Sequence, residues 1–346
     1  MRLDPQVGAK MCLKILVVTA MYPRFGKESS GAFVMQQVEQ LRTLGHDVET
    51  IDFPGHRSKL EYAKAAFVVA HQTRRKRYDV VHAHYGVTGL CTLMRNATPM
   101  VISLHGSDAL VGWIEPLISR VVCALADATI VVSKAIAQRI PGTVIPCGVD
   151  LALFQPKPRT AARQRLGLLP ACKYILFPFD PARRVKRFDI ASGTIKELAA
   201  SNVELLTVSK VHYTEMPWYY SAADAMILCS DSEGSPTSVK EALACNLPVV
   251  STDVGDVREI VRGIAGTEIV EQSPVSLAAG LRRVLNRPPD FVFDGRTAME
   301  RYSQQKAVEA IVAVYRRVIE QRLLKHPSRR DAERTRTKPA TDSKLP

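Results

Sequence analysis

Fifteen residues constrain this chain more than any others: Ser230-Asp231-Ser232-Glu233-Gly234-Ser235-Pro236-Thr237-Ser238-Val239-Lys240-Glu241-Ala242-Leu243-Ala244. The apolar run 225–229 leads into them and has the length of a short buried strand. Small and acidic residues follow, and Pro236 stands where a helix can begin, because its missing N–H has no partner to lose. Val239, Ala242 and Leu243 then recur at helical spacing, so the stretch predicts strand, loop, helix. The free N–H groups of Thr237 and Ser238 face the loop mouth, where aligned peptide dipoles favour a phosphate. Glu233 on the loop and Glu241 about two turns into the helix bracket this anion site. Their carboxylates can accept hydrogen bonds from sugar hydroxyls.

At 346 residues the chain has room for two domains, and 46% hydrophobic with 23% charged residues is the make-up of a soluble globular protein. No stretch reaches the roughly 18 apolar residues that a membrane span requires. The residues before Met11 hold no apolar core of signal-peptide length. Seven cysteines, odd in number and without paired spacing, suit a reducing compartment, so a cytoplasmic location is expected. The net charge of +13 favours anionic partners, among them nucleotide-sugars, acidic lipids and nucleic acid.

The first half alternates strands and helices. Residues 14–20 form a continuous apolar run of parallel-strand type. A loop rich in Gly and Ser, residues 22–31, precedes a helix lined by Val34, Val38, Leu41 and Leu44 and ended by Gly45. Strand, glycine loop and helix in that order form a phosphate-binding architecture. Residues 46–53 predict a strand and 60–70 a helix, after which come Arg74-Arg75-Lys76-Arg77, suited to phospholipid headgroups, a phosphorylated acceptor or plain solvent. His82 and His84 alternate on the next strand, but no third ligand of the right type sits nearby, so no metal is expected. Residues 100–104 predict a strand running straight into His105-Gly106-Ser107-Asp108. A histidine held there can donate to a sugar hydroxyl or a developing charge. Residues 114–126 read as a helix packed into the core.

The Pro-containing, charged residues 157–165 predict a linker. A strand over 174–179 opens the second half. It leads into Asp180-Pro181-Ala182-Arg183-Arg184-Val185-Lys186-Arg187-Phe188-Asp189, whose four cations suit a diphosphate in a closed cleft. Tyr213, Met216, Trp218 and Tyr219 predict domain-core packing. Residues 303–324 form a long amphipathic helix, and the basic stretch after it has the composition of a disordered tail.

Glu233-x7-Glu241, followed by Ala-Leu-Ala-Cys-Asn-Leu-Pro-Val-Val-Ser-Thr-Asp-Val-Gly, resembles the signature of the family-4 retaining glycosyltransferases. His105-Gly106-Ser107-Asp108 is similar to that family's His-Gly-x-Asp loop, and Lys186 matches its Lys before an aromatic-Asp pair. The family's diphosphate-binding Arg has no match, because Pro181 occupies its usual spacing; Arg183 or Arg184 must substitute. The resemblance implies an α/β protein of GT-B fold, two Rossmann-like domains whose parallel sheets face a central cleft. It divides the chain into an extension (1–13), an acceptor-side domain (14–152), a nucleotide-sugar domain (153–302), a helix returning to the first domain (303–325) and a disordered basic tail (326–346). His105 and Glu233 would act on the sugar, Glu241 on the ribose, Lys186 with Arg183 or Arg184 on the diphosphate. Gly31, Gly234, Ser235, Thr237 and Ser238 would cradle the donor. The implied reaction moves a hexose-type sugar, with retention and without metal or other cofactor, from a UDP-, GDP- or ADP-linked donor to a glycan or lipid-linked acceptor. Nucleic acid is not an expected partner; peripheral contact with the inner face of an anionic membrane is compatible with the basic surface. Two alternatives stay open, a nucleotide-sugar 2-epimerase of the same fold and a catalytically degenerate basic adaptor at a membrane surface.

Overall fold

The structure, a computed structural model, describes residues 12–23, 31–55, 57–288 and 290–325. Most of the extension, most of the loop before Gly31 and the basic tail lie outside the described residues. The first half supplies β1 (Lys14–Thr19), β2 (Asp47–Asp52), β3 (Val80–His84), β4 (Met100–Leu104), β5 (Ala128–Val131) and β6 (Thr143–Val144). Between and after them run α1 (Ala32–Thr43), α2 (Lys59–Arg75), α3 (Gly86–Cys91), α4 (Ser107–Leu110), α5 (Ile114–Leu125) and α6 (Lys134–Ala137). The second half supplies β7 (Lys173–Phe177), β8 (Val203–Thr207), β9 (Ala225–Leu228), β10 (Val249–Thr252) and β11 (Glu268–Val270). Its helices are α7 (Arg159–Arg165), α8 (Phe188–Leu198), α9 (Met216–Ala222), α10 (Thr237–Ala244), α11 (Val257–Ile260), α12 (Pro274–Leu285) and α13 (Arg296–Met299), and α14 (Gln304–Lys325) follows.

Each half folds around its own parallel sheet, in the orders β2-β1-β3-β4-β5-β6 and β11-β10-β9-β7-β8. Both start in the middle, step outward to one neighbour and then reverse to the other side. The two sheets therefore share the doubly wound arrangement, with switch points between β1 and β3 and between β7 and β9. Helices cover both faces, which is why Ile15, Leu16, Val17 and Val18 on β1, and all four residues of β9, are buried without alternation. α14 returns to the first sheet, where Val308, Ile311, Val312, Tyr315 and Val318 share one core with Ile15, Val17, Val38 and Val80. The chain crosses between the lobes twice at one place, where Val149 pairs with Ser303.

Three local expectations need correction. The predicted linker 157–165 contains α7, because Arg163 folds inward: its guanidinium reaches Asp224 Oδ2 at 2.7 Å and donates to the carbonyls of Ala222 and Pro170. A stretch of charge looks like a linker only until its distant partner is in place. Replacing Arg163 by alanine leaves the Ala222 carbonyl without its donor and Asp224 with only Arg159 and the Tyr174 N–H, and should lower stability by about 2 kcal/mol in a urea titration. Arg74 and Arg75 belong to the last turn of α2 instead of following it, where cations suit the helix dipole. α5 is not packed into the core as expected: only Ser119 and Val122 are fully buried on it, and its apolar stripe faces outward.

Candidate active site

Open parallel sheets bind ligands beyond the carboxyl ends of their strands, at the switch point. Several residues singled out from the sequence follow the carboxyl ends of strands. Gly31 starts α1 after β1, His105 directly follows β4, Lys186 follows β7, and Glu233 follows β9. Gly31 has φ 74°, and a side chain on it would collide with the Met21 backbone, so the turn admits only glycine.

On the second lobe, Lys186 Nζ donates to Glu233 Oε1 at 2.5 Å, and the two side chains are 8% and 13% exposed. The ammonium also lies 4.1 Å from the centre of the Phe179 ring. Burial pulls the Lys186 pKa below its ordinary value, while Glu233 pulls it back up. Arg187 is committed to Asp189 and Asp231 on the surface. Arg183 and Arg184 are exposed, and Arg183 is the one whose charge is felt by both Tyr85 and Lys186. Pro236 precedes α10, whose first-turn N–H groups, including those of Thr237 and Ser238, have no acceptor within the helix. Glu241, one turn further, receives the Tyr220 hydroxyl at 2.7 Å, and burial pushes its carboxyl up to about 7.

On the first lobe, Asp108 accepts from the backbone N–H groups of His105 (3.0 Å) and Gly106 (2.8 Å), which pins the histidine loop. Phe33 and Tyr85 flank the imidazole at centroid distances of 4.7 and 4.9 Å. His105 Nε2 meets His84 Nδ1 at 2.9 Å, and the two rings stack. His84 continues to Gln37, Gln37 to His82, and His82 to the Tyr315 hydroxyl on α14. Burial holds all three imidazoles well below their usual range, His84 at about 3, so they are neutral. The Gln37 amide nitrogen can only donate. It donates to His84 Nε2, which places the His84 proton on Nδ1 and makes His105 Nε2 an acceptor. The His105 proton then sits on Nδ1, whose one contact is the Cys147 thiol at 3.9 Å.

The lobes touch at this point. A β-carbon on Gly234 would strike the His105 carbonyl, and one on Gly106 would lie 2.9 Å from the Gly234 nitrogen. Glycine on both sides is what lets the Glu233 loop lie against the His105 loop. On the same seam Lys240, fully buried, reaches across to the Cys147 carbonyl at 2.7 Å and also donates to Ser235 Oγ, which in turn donates to Asp256 Oδ2.

The candidate residues thus converge from both lobes, with two qualifications. The Ser235 hydroxyl is spent on Lys240 and Asp256, leaving its backbone for a ligand, and Arg184 shows no link to the cleft. His82 and His84 serve the relay, and among the described residues no group of three or more His, Cys, Asp or Glu is placed to hold a metal ion. Sequence reasoning missed Gln37, Tyr220, Lys240 and Tyr315. Lys240 carried the one available signal, a cation among the apolar positions of α10. A broad recess of about 660 Å³ lies beyond β9, β10 and β11, lined by Asp231, Thr252 and Asp253 among others, and none of His105, Lys186, Glu233 or Glu241 borders it.

Comparison with known proteins bears on the fold and the family. Residues 13–153 match the profile described as Glycosyltransferase Family 4, and residues 179–287 the profile described as Glycosyl transferases group 1. A similar protein is the D-inositol 3-phosphate glycosyltransferase of Geodermatophilus obscurus, 29% identical over 300 residues. That match spans 69% of this chain and 66% of the relative, just under two thirds of its length. Among solved structures, sucrose-phosphate synthase of Thermosynechococcus elongatus aligns with a TM-score of 0.72 and 18% identity over 89% of this chain and 100% of that one. Anabaena Alr3699/HepE, in complex with UDP and glucose, aligns with a TM-score of 0.67 and 16% identity over 87% and 99%. Two lobes of this topology with their carboxyl edges in contact define the GT-B class. The chain is a glycosyltransferase of family 4, group 1.

Proposed function

We propose that the protein transfers a hexose-type sugar, with retention, from a nucleoside diphosphate sugar to a glycan or lipid-linked acceptor at a membrane surface. One observation carries this reading: the Glu233–Gly234 loop of one lobe, with Glu233 paired to Lys186 and the amino end of α10 following it, lies against the His105–Gly106 loop of the other lobe. The cation and the helix end suit a departing diphosphate, and the neutral His105 Nδ1–H suits a sugar oxygen. Glu241 suits the ribose, and Arg183 suits the diphosphate better than Arg184 does. UDP and glucose in the Anabaena structure support a nucleotide-sugar donor, since that protein shares the fold. No step asks for a metal ion; the charge that leaves is met by Lys186, Arg183 and the peptide dipoles of α10. The acceptor would enter from the first lobe.

Titrating the protein with UDP, GDP and ADP tests the donor class: one of them should bind, and indifference to all three would overturn the reading. Glu241 adds a pH signature. Its folded-state value of about 7 lies above the usual carboxylate range, so the free protein loses stability as pH rises from that range up to the folded value. A ribose that needs the ionised carboxylate should therefore bind more weakly as pH falls below about 7, by up to tenfold per unit. Calorimetry across that range should show the inflection in the wild type and lose it in Glu241→Gln.

A further inference from the structure

We infer that the outward face of α2, α3 and α5 on the first lobe is a docking surface for an anionic lipid bilayer. This deepens the membrane contact proposed above and names where it is made. Of the seventeen strongly exposed large apolar side chains among the described residues, eleven lie on these three helices and their connections. Trp113 is 76% exposed, and Ile114, Leu117, Val121 and Leu125 behind it are each between 50% and 55% exposed. Those four positions recur at helical spacing, so α5 presents one continuous apolar stripe to solvent. Its inner side is held by small groups instead. Ser119 Oγ donates to the Asp108 carbonyl at 2.6 Å, and Val122 seats over Gly89 of α3, where a side chain would leave no room. α2 joins the same face, tied to α3 where the Cys91 thiol meets the Tyr62 carbonyl, and adds Phe67, 70% exposed.

A scattering of exposed apolar residues is ordinary, but a contiguous face of this kind marks an interaction surface. Charge selects the occupant. Residues 57–77 carry seven Lys and Arg against the single Glu61. Arg74, Arg75 and Arg77 are exposed, and no ion pair engages them among the described residues. An apolar stripe bearing a tryptophan on α5, together with the polybasic end of α2, is what an interfacial surface requires on acidic headgroups. The face also continues directly from the His105 loop, with only α4 between them, so a bilayer there would bring a lipid-borne acceptor to the mouth of the crevice.

The test uses the full chain and vesicles of phosphatidylglycerol mixed in equal parts with phosphatidylcholine, with phosphatidylcholine alone as control. The protein should sediment with the mixed vesicles about tenfold more strongly than with the control, and less so as salt is raised. With Trp218→Phe removing the other tryptophan, Trp113 emission should shift to the blue on the mixed vesicles. Trp113→Ser combined with Leu117→Ser should weaken partitioning by about tenfold. Both side chains are exposed, so UDP, GDP or ADP binding measured in the same variant distinguishes loss of docking from loss of fold. Unchanged Trp113 emission overturns the inference. So does a dimer that the double substitution dissociates, which would assign the face to a second copy of this chain.

Discussion

Lys186→Met should cost the protein both its donor and several kcal/mol of stability. The Lys186 ammonium and Glu233 carboxylate are nearly sealed from solvent and meet at 2.5 Å. Removing one member of such a pair strands the other, at a cost of about 3–5 kcal/mol. A surface pair, in contrast, would cost under about 1 kcal/mol. Donor binding should fall in parallel by about a hundredfold, because a charge-assisted contact to the diphosphate is lost. Adding Glu233→Gln removes the stranded charge and should restore part of the stability without restoring the donor. Urea unfolding and calorimetry on the two singles and the double would read the coupling directly. Equal stability of Lys186→Met and wild type would mean that the pair is solvated and that the crevice is more open than described.

His105→Ala should lower stability by about 2–3 kcal/mol, because it strands the His84 Nδ1–H and leaves a void between Phe33 and Tyr85. It should also lower kcat by about a hundred- to a thousandfold, the usual loss when one preorganised donor is deleted. The imidazole is neutral throughout the physiological range, because burial and His84 hold its pKa well below the ordinary value. It therefore contributes a hydrogen bond and no titrating charge. The pH profile of kcat should carry no inflection from His105 between about pH 5 and 8, the window in which an ordinary histidine titrates, and nitrogen NMR should find its proton on Nδ1. A kcat that survives the substitution, or a proton on Nε2, would remove the histidine from the chemistry or break the chain that runs back through His84 to Gln37.

How much of this was legible depended on whether the forces were local. The strand–loop–helix around Glu233 could be read because periodicity, proline breakers and helix ends act over short stretches of chain; Pro236 does begin α10 and the run before it is β9. β4 and the histidine after it were equally plain, since the run 100–104, apolar but for Ser103, stops at His105. What escaped was set by distant partners. Arg163 looks solvated until Asp224 meets it, and His82 has no evident partner until Tyr315 arrives from α14, 233 positions away. α5 shows a different limit. Its apolar residues predicted a helix packed into the core, but Ser119 and Val122 are what face inward, against Asp108 and Gly89, and the larger apolar side chains face outward.

The return of α14 has a consequence for how the polypeptide is made. Tyr315 and its neighbours finish the hydrophobic interior of the lobe that emerges from the ribosome first. During synthesis that lobe must wait, its strands paired but one flank bare, while the later lobe has all of its own interior to hand. Nascent chains halted at Tyr302 should accordingly recruit chaperones through the early half and not the late one.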